Sequence, residues 1–332
     1  MSYKKYLQRF LPVVLALVII ALAGRVLLNT FSYLSPADVI ARLRAIAAWQ
    51  VVLGAVLVAT LYLTLANYEA AVSREVSSPV SPRRAMLGAV LASSIGHVIG
   101  WGVVSGGAIR YRLYSAVLMR PLEIGKMALL IAMPYPLALG LLLGLSLVLQ
   151  SVPAGLILHV TPETARGTGL SLLALHLIYV TLIQLRRQPI MIGRFVLVLP
   201  RPPFTTLQYV VGIIEVSCGA GLLYVLLPHE LAPPFLVLLG VYVLSILAGI
   251  ASSVPAGIGV FEAVIVTLLP AIPKDTLIAT ILAYRLLLEL IPVAVAIVVF
   301  VAYELWWRLP TQRRRLAALE LAAQEDERIF KP

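Results

Sequence analysis

Charge and cysteine are what this 332-residue sequence has least of. Asp, Glu, Lys and Arg together make up only 12% of it, and its single cysteine, Cys218, stands inside an apolar run. One thiol has no partner within the chain, so no disulfide framework holds the fold. Of the four histidines, His97 and His176 fall on different helical segments. Neither has further ligands at the spacing a metal site uses. The sequence contains no P-loop, no nucleotide-binding glycine fingerprint, and no serine nucleophile with a matching histidine and acid. No metal or other cofactor is expected, nor is direct use of ATP.

In place of charge there is hydrocarbon. Hydrophobic residues reach 61% and the mean hydropathy is +0.99, whereas an ordinary soluble domain is roughly half apolar and a quarter charged. A soluble fold could not hide that much apolar surface. Runs of about twenty apolar residues recur as far as Trp307, each long enough to cross a hydrocarbon core of about 30 Å. Within that core the backbone must satisfy its own hydrogen bonds. Barrel strands would alternate apolar and polar residues over about ten positions, and stretches such as Leu11 to Ala23 and Phe235 to Ile250 do not. The expected class is therefore all-α. It is a polytopic integral membrane bundle of about eight transmembrane helices, with one transmembrane domain over 1–307 and a charged cytoplasmic tail over 308–332.

The segments fall near 11–29, 49–71, 86–105, 125–150, 170–185, 208–227, 235–253, 257–270 and 278–305. The basic start MSYKKYLQRF, the apolar run behind it and the triplet Ala21-Leu22-Ala23 have the form of a signal peptide. Apolar character resumes after Arg25, however, so an uncleaved first helix is expected. The net charge of +11, from 26 Lys and Arg against 15 Asp and Glu, does not indicate nucleic acid. The basic residues cluster beside membrane segments (Lys4, Lys5, Arg9; Arg83, Arg84; Arg186, Arg187; Arg313, Arg314, Arg315), where they orient helices and meet anionic headgroups. That bias places both termini and the 186–203 stretch in the cytoplasm, and the 150–170 connection outside. The count works only if the glycine-rich stretch GHVIGWGVVSGG is a re-entrant hairpin and 257–270 is a tilted half-helix.

The broken or re-entrant segments, near 95–110 and 252–270, occupy corresponding places in the two halves of the chain. Such interruptions mark the substrate region of many transporters, because broken helix ends expose backbone donors and positive dipole ends at membrane depth. Close helix packing through glycine is the structural alternative.

The runs GGAIRYRLYSA and SSVPAGIGVFE resemble the signature segments of the membrane region of MprF-type lysylphosphatidylglycerol synthase and flippase proteins and their shorter, YbhN-like relatives. The resemblance runs from the first helix to the last. It implies a bacterial inner membrane protein that binds or translocates a phospholipid, anionic or aminoacylated phosphatidylglycerol. In that family a separate C-terminal domain attaches the amino acid, and this sequence has no room for it. The resemblance thus implies translocation rather than synthesis. The sequence departs from the family at Pro255-Ala256-Gly257, where many relatives carry proline and two glycines. It departs also at Asn67-Tyr68-Glu69, where a tyrosine-aspartate pair is common.

The headgroup site expected on these grounds comprises Gly106, Gly107, Arg110, Tyr111, Arg112 and Tyr114 from the first broken segment, and Pro255, Gly257, Gly259 and Glu262 from the second. A guanidinium offers a phosphate a bidentate fork, although positive-inside anchoring explains the same arginines. Ionisable groups inside apolar segments are costly and so are functional candidates by default. They are Glu69, His97, Glu215, Glu262, Arg285 and Glu289. Arg285 and Glu289, four residues apart on one helix, are expected to pair. Glu262 either balances Arg110 or Arg112, titrates during transport, or bonds to backbone at the helix break.

Membrane phospholipid is the partner these residues imply, and homo-oligomerisation is left open. Two other readings stand beside the translocase. One is an intramembrane lipid-modifying enzyme using His97, Glu215 or Glu262 as acid or base, for which no nucleophile or other catalytic constellation is found. The other is an accessory scaffold.

Overall fold

The computed structural model describes residues 40–41, 44–76, 78–99, 102–115, 119, 121–185, 190–192, 195–197, 201–252 and 254–307. The expected first helix at 11–29, Arg186 and Arg187, and the tail at 308–332 lie outside the described residues. Helix α1 is Ala48–Glu75, followed by α2 (Pro82–Ile99), α3 (Gly102–Tyr114), α4 (Pro121–Ala132) and α5 (Pro134–Leu149). Next come α6 (Ser151–Leu158), α7 (Pro162–Leu185), a two-strand hairpin of β1 (Ile190–Ile192) and β2 (Phe195–Leu197), and α8 (Pro202–Leu226). The remainder is α9 (Phe235–Ser252), α10 (Val260–Leu268), α11 (Lys274–Arg285) and α12 (Ile291–Trp307). Apart from the three-residue strands the described chain is helical, as an all-α membrane bundle should be.

Proline sets many of these boundaries. Helices α2, α4, α5, α7 and α8 each begin on one, where the missing N–H costs nothing and the fixed φ is already helical. Pro134 cannot continue the α4 ladder, so α4 and α5 are two pieces of one apolar stretch, Glu123–Leu149. Helix α1 starts with Ala47 N–H donating to Gln50 Oε1 at 2.9 Å. Gln50 Nε2 then donates to the Val225 carbonyl at 2.6 Å and ties the start of α1 to the end of α8.

Among the described residues six stretches are long and apolar enough to cross a membrane: α1, α4 with α5, α7, α8, α9, and α11 running on into α12. Half of the apolar window of α8 and of α9 is buried, against 11% for α7. The first two are interior helices and α7 stands at the rim. Helix α8 packs on α1, α5, α9 and α11 through small residues. A Cβ on Gly212 would strike the Pro134 carbonyl, and one on Gly219 the Tyr242 hydroxyl. Such close backbone approach supplies the dispersion contacts that hold helices together where lipid is as apolar as leucine.

The connection at 150–170 has secondary structure of its own. It is largely helical, as α6 followed by the start of α7. The Thr161 hydroxyl accepts the Thr164 N–H at 3.2 Å and caps α7, while His159 at the end of α6 takes a left-handed φ of 55°. Thr161 and Pro162 are the capping signals in the sequence for this helix start.

Candidate functional site

The first break separates α2 from α3. Helix α3 has 13 residues, about 20 Å at the helical rise, and so falls short of the core. It folds back antiparallel along α2: a Cβ on Gly106 would meet the Ala92 carbonyl oxygen at 3.2 Å, and one on Gly88 would strike the Tyr114 hydroxyl. This is the helical hairpin that a re-entrant segment requires. The glycines are what let the two helices approach.

The second break follows α9. Pro255–Gly257 make a single 3-10 turn, in which Ala256 has φ 53° and Gly257 φ 61°, and Gly259 follows with φ 82°. Glycine tolerates this left-handed backbone, and alanine pays about 1 kcal/mol or more for it. A Cβ on Gly257 would lie 3.1 Å from Gly249 Cα, so the turn rests directly on the α9 backbone. Helix α10 has nine residues, about 14 Å, which makes it the expected half-helix. Glu262 caps its N-terminus: Oε2 accepts the Gly259 N–H at 2.7 Å. The two broken segments meet, because α2 packs against the Pro255–Gly257 turn.

Buried charge is concentrated around them. Arg110 is 6% exposed and Glu69 fully buried. Their fork is bidentate, with Nε to Oε1 at 2.8 Å and Nη2 to Oε2 at 2.7 Å. The Tyr114 hydroxyl donates to the same Oε1. Arg110 and Tyr114, expected to face a headgroup, are thus both engaged by Glu69 in this conformation. Arg112 and Tyr111 stand on the exposed side of α3. Gly106 is buried behind Arg110, and Gly107 has open space where a side chain would go.

The second cluster centres on Arg285, 3% exposed. Its Nε donates to Glu262 Oε1 at 2.6 Å and its Nη1 to Glu289 at 2.9 and 3.1 Å. The expected Arg285–Glu289 pair is present, with a detail periodicity does not show: the chain between them, Leu286–Leu290, is a π-helical turn. Glu262 pairs with Arg285 and the Gly259 backbone. The expectation that it balances Arg110 or Arg112 is corrected here, since Arg110 already holds Glu69. The guanidinium lies 5.6 Å above the Phe261 ring, which stacks on Tyr284, and Tyr284 shares a hydrogen bond with Tyr242 at 2.8 Å. Arg285 Nη2 is buried and has no hydrogen-bond partner among the described residues.

Between the clusters lie His97, in the last turn of α2, and Glu215, at the middle of α8, with Nε2 and Oε1 3.9 Å apart. The Tyr62 ring stands edge-on to His97, and its hydroxyl donates to the Leu288 carbonyl, a group in the π turn, at 3.2 Å. His97 and His176 do not converge, as His176 is bonded to Tyr209 at 2.7 Å. Among the described residues no group of His, Cys, Asp and Glu could hold a metal ion. Tyr62 and Tyr242 were missed from sequence, and a signal for them was their place within apolar runs rather than at the ends, where aromatic belts lie.

Fold and site together define an integral membrane protein whose two interrupted helical segments meet at buried charges. No family model matches the chain. The "Uncharacterized protein slr0712" of Synechocystis is 31% identical over 217 residues, which cover 64% of this chain and 66% of that protein. The "Inner membrane protein YbhN" of Escherichia coli is 30% identical over 223 residues, covering 66% of this chain and 68% of YbhN. The match spans just under two thirds of the first relative and just over two thirds of the second. The chain belongs to the family of the inner membrane protein YbhN.

Proposed function

We propose that this protein, in a bacterial inner membrane, binds phospholipid headgroups where its two broken segments meet and passes them between leaflets while the acyl tails stay in lipid. The observation that carries this reading is the packing of α2 against the Pro255–Gly257 turn. Interrupted helices that converge on buried ionisable groups are the construction transporters use for a site near the bilayer midplane. The headgroup class, anionic or aminoacylated phosphatidylglycerol, rests on the resemblance of GGAIRYRLYSA and SSVPAGIGVFE to MprF-type membrane regions. Arg112 and Tyr111, exposed on α3, are the side chains from which a phosphate would be taken up, since Arg110 is closed on Glu69.

The test is leaflet exchange in liposomes holding the purified chain, with labelled phosphatidylglycerol, its lysyl derivative and a zwitterionic lipid. The expected result is headgroup-selective exchange that Arg112→Gln reduces about tenfold, the weight of one lost charge-assisted hydrogen bond. Folded protein that moves no lipid above the rate of empty liposomes overturns the proposal. A role as an accessory scaffold would then be the better account.

A further inference from the structure

His97 and Glu215 are the ionisable pair that the bundle leaves open. Their 3.9 Å separation exceeds hydrogen-bond reach, which ends at about 3.2 Å for such groups. Among the described residues His97 Nδ1 is buried with no hydrogen-bond partner, and none donates a hydrogen bond to the Glu215 carboxyl. Every other ionised group in the centre is engaged: Arg110 with Glu69, and Arg285 with Glu262 and Glu289. Glu262 and Glu289 already outnumber Arg285, so among the described residues no Lys or Arg forms an ion pair with Glu215. At membrane depth an unpaired carboxylate lacks both water and counter-charge. What the position can accept is one positive charge of negligible volume.

The surroundings supply polar groups without supplying that charge. From α1 comes Tyr62, from α5 Tyr135 and from α9 Tyr242, with Cys218 one turn along α8 itself. From α11 and the π turn come Tyr284, Arg285 and Glu289, the last two paired with each other. Helix α7 carries His176 and Tyr179, both against Tyr209, and α3 carries Arg110 and Tyr114, both closed on Glu69, with Tyr111 and Arg112 on its exposed side. The hydroxyls can solvate a proton or a transient water, and none can neutralise a carboxylate.

We propose that His97 and Glu215 form a proton-exchange site. One proton enters from water on one side of the membrane, adds to the Glu215 carboxylate or to His97 Nε2, and leaves to water on the other. Only an O–H or N–H bond forms and breaks. His97 is in the last turn of α2, and α2 rests on the Pro255–Gly257 turn. Motion of α2 against α8, which would accompany any movement of the first broken segment, changes the 3.9 Å gap and with it access to the proton. Coupling of this proton to lipid movement rests on the proposed function, while the proton site itself does not.

The test is infrared difference spectroscopy of the chain in liposomes on acidification, alongside lipid exchange with and without an imposed pH gradient. A protonated-carboxyl band is expected that is lost in Glu215→Gln, shifted in frequency in His97→Gln and restored in Glu215→Asp. The gradient should accelerate lipid exchange by wild type and leave Glu215→Gln unaccelerated. A band that persists unchanged in Glu215→Gln, or no band across the whole pH range in which the protein stays folded, overturns the inference. If Glu215→Gln does not fold, the His97→Gln shift carries the test, and an unshifted band overturns it. A responsive Glu215 with no lipid movement under any gradient leaves the proton site standing and removes the lipid reading. Lipid movement with a silent Glu215 does the reverse.

Discussion

Replacing Glu69 by glutamine should be among the most damaging single changes in this protein. Arg110 would keep its charge with no counter-ion, at a position 6% exposed, and the two charge-assisted bonds at 2.8 and 2.7 Å would become at best one neutral contact. Stripping one partner from a buried ion pair costs about 3–5 kcal/mol, mainly the desolvation of the charge left behind. Arg110→Met should cost less than Glu69→Gln, because Tyr114 still donates to the Glu69 carboxylate. The double variant Glu69→Gln plus Arg110→Met leaves no charge buried and should lose less than the two single changes added together, by at least about 2 kcal/mol. The assay is a double-mutant cycle on reversible unfolding in mild detergent, with assembly checked by monodispersity. Strict additivity, or Glu69→Gln as stable as wild type, would show that the fork is incidental to folding. It would also return Arg110 to the headgroup site.

Three further changes follow from geometry. Ala256→Gly should raise stability by up to about 1 kcal/mol, because it relieves a left-handed alanine; a thermal melt below wild type would refute the strain at φ 53°. Arg285→Met leaves Glu262 and Glu289 uncompensated and should cost about 3–5 kcal/mol, whereas Glu289→Gln, which leaves the Glu262 bond intact, should cost about 1–3 kcal/mol. Equal losses in chemical denaturation would argue against a shared cation. Gly88→Ala drives a methyl into the Tyr114 hydroxyl and ring and should cost about 1–3 kcal/mol by overpacking, with most of that loss absent in a Tyr114→Ala background. An undiminished loss there would place the clash elsewhere.

Length and hydropathy made the bundle readable before any coordinates. Runs such as 235–253 and 208–227 are too long and too uniformly apolar to be anything but spanning helices, and the structure moves their ends by only a few residues. The two breaks were readable too, because glycine and proline act through local backbone rules that need no partner. The pairing of charges was a different matter. Arg285 with Glu289 obeys a helical spacing, so sequence exposes it. Glu69 with Arg110 joins α1 to α3, and Glu262 with Arg285 joins α10 to α11, and no local rule selects those partners over others. A basic residue after a glycine-rich stretch looks like a headgroup ligand until the fold brings a carboxylate within 2.7 Å of it. The departure at Asn67-Tyr68-Glu69 changes meaning in the same way. It lies in the ion pair rather than at a substrate surface, so a longer carboxylate arm there sets how far apart α1 and α3 can stand.

The fork between Glu69 and Arg110 also constrains how the protein is made. Its two halves are 41 residues apart in the chain, so at about 5–20 residues per second Glu69 reaches the membrane seconds before Arg110 does. During that interval α1 carries an uncompensated acid into lipid or keeps its end near the insertion machinery. The hairpin of α2 and α3 is what releases it. The charge on α1 is therefore compensated only when the second glycine-lined arm has folded back and delivered its guanidinium.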